Sequence, residues 1–490
     1  METVVDEIIT DKTISPAFQR AVYQTGWVTA RATEIQQELT RGESKPFDEL
    51  VLHFGDPQGF GQPPITSMRQ FLACLLCPNC LDDPSYPVDV KEKARRILKA
   101  KRGCTISSYT DFVGLRLVRE DVAKFISRRD GYPADPDDII LTNGGSIGIQ
   151  IGVEALGTSS LNDRGRAGLM IPVPGFYQYT ARSIDFKFYK IPYYLEEENN
   201  WNFNTSELKR ALDEAKPHCT PRGLVLVNPG NPTGHVLTYN TIRDVIKFCA
   251  REKLVLFADE VYQETLFTNE VQFHSCKKVL RDLGPEYIKF QLMSIHSVSK
   301  GIYGECGLRG AYLELVAFSK EVKRQFRNKL TPHSCPSTIG QAALSAMCNP
   351  PQPGDESYEV FIKEKMAILD SYQRKAKITT SMLNSLEGIT CSEVTGALYA
   401  FPRVHLPRKA IEEAKLANCG PDEFYCWQML EATGITPACG YLFGQKEGTH
   451  HFRLTILPPE EKLVPMFDRI SKFHKEFMDK YRDDNDNNKL

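Results

Sequence analysis

The sequence predicts an α/β fold. A large domain is built on a mostly parallel sheet flanked by helices, and a smaller α+β domain follows it. Two observations carry this reading. Short apolar runs alternate with helical patterns, the signature of βαβ units. The runs are also unbroken, like "LVLF", which suits strands covered on both faces.

In chain order, "SPAFQRAVYQTGWVTARATEIQQEL" reads as helix, placed as an arm against a partner. "DIILTNGG" is a strand ending at glycines, and "SIGIQIGVEAL" continues it with helical spacing. "RAGLMIPVPGF" is an apolar run closed by Pro-Gly. "RGLVLVNPGNPTG" is another, followed by the amphipathic helix "TIRDVIKFCAREK". "LVLFADEVYQ" and "KFQLMSIHSVSKG" complete the series. From about residue 340 the pattern changes. "EKMAILDSYQRKAKITTSMLNSL" is a long helix, and "ALYAFPRV" and "HHFRLTIL" are alternating strands. The expected division is an N-terminal arm over 1–45, a segment over 46–95 joining the small domain, a large domain over 96–340 and a small domain over 341–490.

Composition excludes several function classes. The 490 residues are 41% hydrophobic and 25% charged, a globular balance. With 60 basic against 62 acidic residues there is no positive field for nucleic acid. No apolar run approaches the ~18 residues of a membrane span. The N-terminus "METVVDEIITDK" is acidic, unlike a secretory or mitochondrial leader, so a cytoplasmic location is expected. The closing "NKL" loosely resembles the peroxisomal "SKL" and reads as a chance match. The 14 cysteines lack paired spacing and read as reduced thiols. Cys74, Cys77 and Cys80 in "CLLCPNC" mimic part of an iron–sulfur run. The fourth ligand is missing and the stretch continues an apolar pattern, so core and loop cysteines are expected.

In open parallel sheets, ligands bind beyond the carboxyl ends of the strands. Here those ends carry unusual chemistry: Asn143-Gly144-Gly145-Ser146, then Asn228 and Asn231, then Asp259, Glu260 and Tyr262, then His296, Ser297, Ser299 and Lys300. Turn and capping residues would account for any one of these sets. Four coincident strand ends are harder to account for that way. "NGGS" entering a helix offers backbone N–H groups to a phosphate, and Arg309 could complete the anion site. Neither "GxGxxG" nor "GxxxxGK[ST]" is present, so the phosphate does not belong to a dinucleotide or a P-loop ligand. A buried carboxylate such as Asp259 suits a protonated ring nitrogen, and the Lys300 amine suits an aldehyde. Phosphate, ring nitrogen and aldehyde together describe pyridoxal 5′-phosphate.

"NPGNPTG", "ADEVYQ", "SVSKG" with its following arginine, and "HHFRLTIL" resemble the class-I, fold-type-I aminotransferases. "GDPQGFGQPP", "EYIKFQLMSIHSVSKGIYGECGLRGAY", "GALYAFPR", "EFYCWQMLEATGI" and "HHFRLTILPPEEKL" are similar to its alanine-aminotransferase branch, over roughly residues 15 to 480. The resemblance implies roles residue by residue. Lys300 is the lysine that condenses with the cofactor aldehyde and later moves the substrate proton. Asp259 partners the ring nitrogen. Asn231 and Tyr262 bond the phenolic oxygen. Gly145, Ser146, Ser297 and Arg309 hold the phosphate, and Phe176 stacks on the ring. Arg453 and the Gly55 backbone take the substrate α-carboxylate. Tyr109 reaches the phosphate of the neighbouring subunit, which implies a homodimer.

Some positions depart from that branch. Ile147 stands where an acidic residue is usual, Phe176 where tyrosine is usual, and "TPACGYLFGQ" where "VPGSGFGQ" is usual. The implied reaction is amino transfer between L-alanine and 2-oxoglutarate with ping-pong kinetics. Glutamate:glyoxylate transamination is the alternative, since one methyl group separates such substrates by only ~1–3 kcal/mol. A non-catalytic pyridoxal-dependent regulator is the remote one. It would need a DNA-binding segment, and no spare helix-turn-helix stretch or basic excess is found. A structural subunit that had lost catalysis would lack Lys300 or Asp259, and both are present.

Overall fold

The computed structural model describes residues 10, 26–52, 54–103, 105–157, 166–268 and 270–482. Seven strands form its main sheet: β1 (Ile139–Asn143), β2 (Ala167–Val173), β3 (Tyr189–Tyr194), β4 (Thr220–Val227), β5 (Val255–Asp259), β6 (Leu292–Ser297) and β7 (Gly310–Val316). They lie in the order β1-β7-β6-β5-β4-β2-β3. Every neighbouring pair is parallel except the two made by β7, which runs against both β1 and β6.

The pleat sorts side chains between two apolar layers. Leu224 and Leu226 of β4 pack with Ile242, Val245 and Phe248 of helix α2 (Tyr239–Glu252). Val225 and Val227 face the other way, with Ile149 and Val153 of helix α1 (Gly145–Ala155). Both helices are specified locally. The Thr238 side chain caps α2 by accepting from the Thr241 N–H. In α1, a Cβ at Gly152 would sit 2.3 Å from a Phe257 ring carbon, so a side chain there would push the helix off the sheet.

The apolar runs "DIILT", "GLMIPV", "GLVLV", "LVLFA" and "QLMSI" are all strands, which gives the mostly parallel sheet the alternation predicts. Sequence reading did not single out β3 and β7, and each has a physical reason. β3 is an edge strand, only partly buried, and carries Pro192, which an edge tolerates. β7 holds Glu314 in the middle of its apolar run. That carboxylate is fully buried and paired with the buried Lys277.

Beyond the sheet, two long helices, Tyr358–Asn384 and Glu460–Tyr481, pack on each other. Phe452–Thr455 lies between Tyr399–Ala400 and Ala438–Cys439 in a three-stranded antiparallel sheet. Val51–Leu52 pairs with Ile435–Thr436, which ties the chain just before Gly55 to this C-terminal part. Gly26–Thr40 is helical as expected and rests on helix Pro421–Thr433, with the Trp27 and Trp427 rings 5.4 Å apart and an Arg31–Glu431 contact of 2.6 Å. The rest of the expected N-terminal helix and the closing "NKL" lie outside the described residues. Among the described residues, no helix is long and apolar enough to cross a membrane.

The Lys277–Glu314 pair generates a prediction. Lys277→Met should destabilise the protein by about 3–5 kcal/mol, because it leaves a buried carboxylate unpaired. Lys277→Met combined with Glu314→Leu should recover most of that loss. Denaturant midpoints of the two variants and the wild type check this.

Candidate active site

The carboxyl ends of β1, β4, β5 and β6 open on one cavity of about 340 Å³. Gly55, Gly145, Ser146, Phe176, Asn231, Asp259, Tyr262, Ser297, Lys300, Arg309 and Arg453 all line it. Tyr109 does not: it is 83% exposed and is not among the residues that line the cavity of its own chain.

Strand alternation decides which strand-end groups enter. Asp259 and Ser297 face the cavity, while their neighbours Glu260 and His296 turn to the opposite layer. Asp259 is 2% exposed. Its Oδ2 accepts from the Tyr179 hydroxyl at 2.9 Å, and its Oδ1 has no partner. Burial pushes this carboxyl up to about 6 against the opposing bonds from the Tyr179 hydroxyl and the Val261 backbone N–H. An N–H donor in the cavity would satisfy Oδ1 and favour the ionised form. The residues therefore fit the protonated ring nitrogen of a pyridoxal group.

Lys300 Nζ donates to the Gly55 carbonyl and lies 3.9 Å from Cys306 Sγ. Because that carbonyl faces the lysine, only the Gly55 N–H is left to serve a carboxylate. A side chain at Gly55 is impossible without rearrangement, since a Cβ would fall 1.8 Å from the Tyr399 hydroxyl and 3.2 Å from Lys300 Nζ. The Cys306 thiol contacts the Ser299 carbonyl at 2.9 Å, and its own carbonyl accepts from Arg309 at 2.7 Å. The turn from Ser299 to Arg309 is thus closed on itself.

On another wall, Gly145 and Ser146 open α1, where first-turn N–H groups have no intrahelical acceptor and could hold an anion. Gly144 has a φ of +81°, and a Cβ there would lie 2.0 Å from an Arg309 nitrogen. Glycine at 144 therefore makes room for the arginine. Gln178 donates to Ser146 Oγ at 2.9 Å. Ile147, at the position where the resemblance would put an acidic group, packs at the edge of the apolar layer and does not line the cavity.

The Arg453 guanidinium donates to Asn231 Oδ1 at 3.0 Å. It lies over the Tyr399 ring at 4.1 Å and the Phe443 ring at 4.7 Å from the centroids. This fixes the plane of a cation that is 6% exposed, while its Nε lacks a partner. Phe176 stands beside Tyr177, ring centroids 4.8 Å apart, on the cavity wall.

Sequence reasoning missed four contributors. Tyr179 lies on the helix after Phe176, three residues on, and nothing in its local sequence sets it apart. Cys306 sits inside "GECG" without a signal of its own. Gln178 and Tyr399 come from segments whose side-chain direction is set by tertiary packing. The alternation of "ALYAFPRV" was the one available hint for Tyr399.

Residues 75–470 match the family described as aminotransferase class I and II. The chain is 44% identical over 480 residues to alanine aminotransferase 2 of Xenopus laevis, covering 97% of this chain and 88% of that protein. It is 43% identical over 479 residues to alanine aminotransferase 1 of Homo sapiens, covering 97% and 96%. Among solved structures, an alanine aminotransferase from Pyrococcus furiosus superposes with a TM-score of 0.73 at 20% identity, over 94% of this chain and 99% of that one. That last likeness concerns the fold.

The Asp259 carboxyl sets a pH dependence. Its folded value, about 6, lies above the ordinary carboxylate value. Stability from this group is fully present below the unfolded value and is lost as pH rises through about 6. In the cofactor-free protein, Asp259→Asn removes that loss. Relative to wild type, the variant should gain about 1–2 kcal/mol between pH 5 and pH 8. Denaturation curves at the two pH values measure it. A constant difference would contradict the raised carboxyl.

Proposed function

Since this chain belongs to the class I and II aminotransferase family, we propose that it is an alanine aminotransferase that uses pyridoxal 5′-phosphate. It transfers the amino group of L-alanine to 2-oxoglutarate reversibly, giving pyruvate and L-glutamate. The observation that carries this reading is one cavity holding a lysine amine, a buried carboxyl with an unpartnered oxygen and a buried, planar-held arginine. The substrate pair follows the names of relatives that match along nearly the whole chain.

When bound, the cofactor supplies an aldehyde that takes the amino group and a ring that accepts the electron pair left when the substrate Cα–H bond breaks. The chain's residues do the rest. Gly145, Ser146, Ser297 and Arg309 would hold the phosphate through N–H, hydroxyl and guanidinium donors. Asp259 Oδ1 would accept from the ring N–H and keep it protonated. Tyr262 and Asn231 would donate to the phenolic oxygen. Asn231 has that freedom because its Oδ1, not its amide nitrogen, is engaged by Arg453. Phe176 supplies an aromatic wall for the ring face.

Arg453 binds the α-carboxylate that both substrates share, and so orients Cα toward Lys300. The Lys300 amine would then stand where it can take the Cα proton and hold it for return. A positioned base of this kind contributes about 10²–10⁴ in rate. One site handles alanine and glutamate in turn because the groups it grips, the α-carboxylate and α-amine, are common to both.

We extend the proposal to a homodimer in which Tyr109 serves the partner's phosphate site. Its high exposure and its absence from the lining of its own cavity support this.

Pyruvate should form when the protein is incubated with pyridoxal phosphate, L-alanine and 2-oxoglutarate. A protein with full cofactor loading and no pyruvate would remove the assignment. Arg453→Lys should raise KM for amino acid and oxo acid alike by about tenfold or more, because a lysine cannot form the forked pair. Mixed dimers test the shared site. Lys300→Ala and Tyr109→Ala homodimers, allowed to exchange subunits at limiting cofactor, should give activity above the mean of the parents. Only a hybrid then contains a site with both residues intact. Averaged activity despite proven exchange would withdraw Tyr109.

A further inference from the structure

Tyr399 touches more of the site than any role assigned so far accounts for. Its hydroxyl lies 3.1 Å from the Tyr262 hydroxyl, with the two rings edge to face at 6.0 Å. The same hydroxyl and Lys300 Nζ lie 1.8 Å and 3.2 Å from a single point, the place a Cβ on Gly55 would occupy. Its ring face carries the Arg453 guanidinium at 4.1 Å. The side chain is 3% exposed and lines the cavity.

We propose that Tyr399 is a positioning residue of the transamination site, in which the hydroxyl orders Tyr262 and the Lys300 amine while the ring holds the substrate-carboxylate arginine. This rests on the aminotransferase reading of the cavity. The two ends of the side chain do separable work. The ring fixes the plane of Arg453 and so serves binding of the α-carboxylate. The hydroxyl lies toward Tyr262 and Lys300, and so serves the chemical step.

The electrostatic surroundings agree with the geometry. Burial alone would push the Tyr399 phenol up, but Lys300 and Arg453 outweigh it and hold the group below its ordinary value. Burial and the adjoining Tyr399 drive its partner Tyr262 the other way, far above. Tyr262 is therefore the donor when the two share one proton. The other groups facing this phenol are the Cys306 thiol, Tyr177 and Tyr372. An anion on Arg453 cancels part of the field that lowers Tyr399, so substrate binding changes the hydroxyl's readiness to donate. Through that one ring, occupancy at the arginine reaches the lysine.

Two variants and two readouts test this. Tyr399→Phe keeps the ring and removes the hydroxyl. It should leave KM for alanine and 2-oxoglutarate within about threefold and lower kcat by about tenfold or more. Tyr399→Leu removes both parts and should in addition raise KM by about fivefold or more. In the cofactor-free protein, tyrosinate absorbance followed against pH should show a tyrosine ionising below the main group in wild type, and this early step should be absent in Tyr399→Phe. An unchanged kcat in Tyr399→Phe overturns the role of the hydroxyl, and equal KM values in the two variants overturn the role of the ring. An early step that persists in Tyr399→Phe overturns the electrostatic link. The absorbance readout needs no turnover. A wild type inactive on alanine but showing the Tyr399 step would sink the proposed function and leave the linkage standing.

Discussion

A carboxyl group that is 2% exposed, with one oxygen bonded to Tyr179 and the other short of a well-formed hydrogen bond, is costly to fold around. Chains do not normally retain such a group in a place where an amide or an apolar residue would pack as well. Asp259 can be tolerated because its side chain lines a cavity. The cost is removed when a donor arrives. The rest of the site is arranged around that one opening. The N-terminus of α1, the arginine lying over two aromatic rings and the lysine amine all line the same cavity.

The same pleat that turns Asp259 and Ser297 into the cavity turns Glu260 and His296 away from it. The buried charges on that side form a separate system. Arg129 donates to both oxygens of Asp130 at 2.6 and 2.7 Å and lies 3.7 Å from Glu260, while Lys277 pairs with Glu314. Burial pushes Glu260 up to about 7 and His296 down to about 3. His296 sits against the Phe125 and Tyr312 rings, and burial with the nearby Arg129 charge holds it as a neutral aromatic group. Two adjacent strand-end residues of similar chemistry thus serve different purposes, one toward the ligand and one toward the stability of the sheet.

This division marks how far the sequence could be read. Strands with unbroken apolar runs were legible because burial on both faces leaves no alternation to misread. β7 was not, because Glu314 interrupts it and only the distant Lys277 makes that charge acceptable. The strand-end position of Asp259, Ser297 and Lys300 was legible from period and punctuation. The residues that complete the site were not. Tyr179 reaches Asp259 from 80 residues away in the chain, and Tyr399 reaches Tyr262 across 137. Such contacts depend on the packing of separate elements, which local pattern does not encode. His296 and Glu260 stood in the same strand-end sets as true cavity residues, and only the phase of the pleat separates them.

The placement of Lys300 shows why the N-terminal segment belongs to the site. The turn after the lysine has little regular structure, and its carbonyls are taken up by distant side chains. Gln62 donates to the Ile302 carbonyl at 2.8 Å, Gln58 to that of Tyr303 at 3.0 Å, and Tyr372 of the long helix bonds to Gln62. Arg69 holds Glu305 by two bonds, at 2.8 and 2.9 Å. Val51–Leu52 is meanwhile fastened to Ile435–Thr436, so the stretch between, with Gly55 in it, is anchored at both ends. Its glycine is what permits the approach to Lys300 and Tyr399. The amine is therefore located less by its own strand than by a segment some 245 residues earlier, whose carbonyl it meets. Any shift of that segment relative to the sheet would move the lysine's hydrogen-bond partner and the Tyr399 hydroxyl together. That common constraint couples the Tyr399 side of the cavity, where Arg453 lies, to the Lys300 amine.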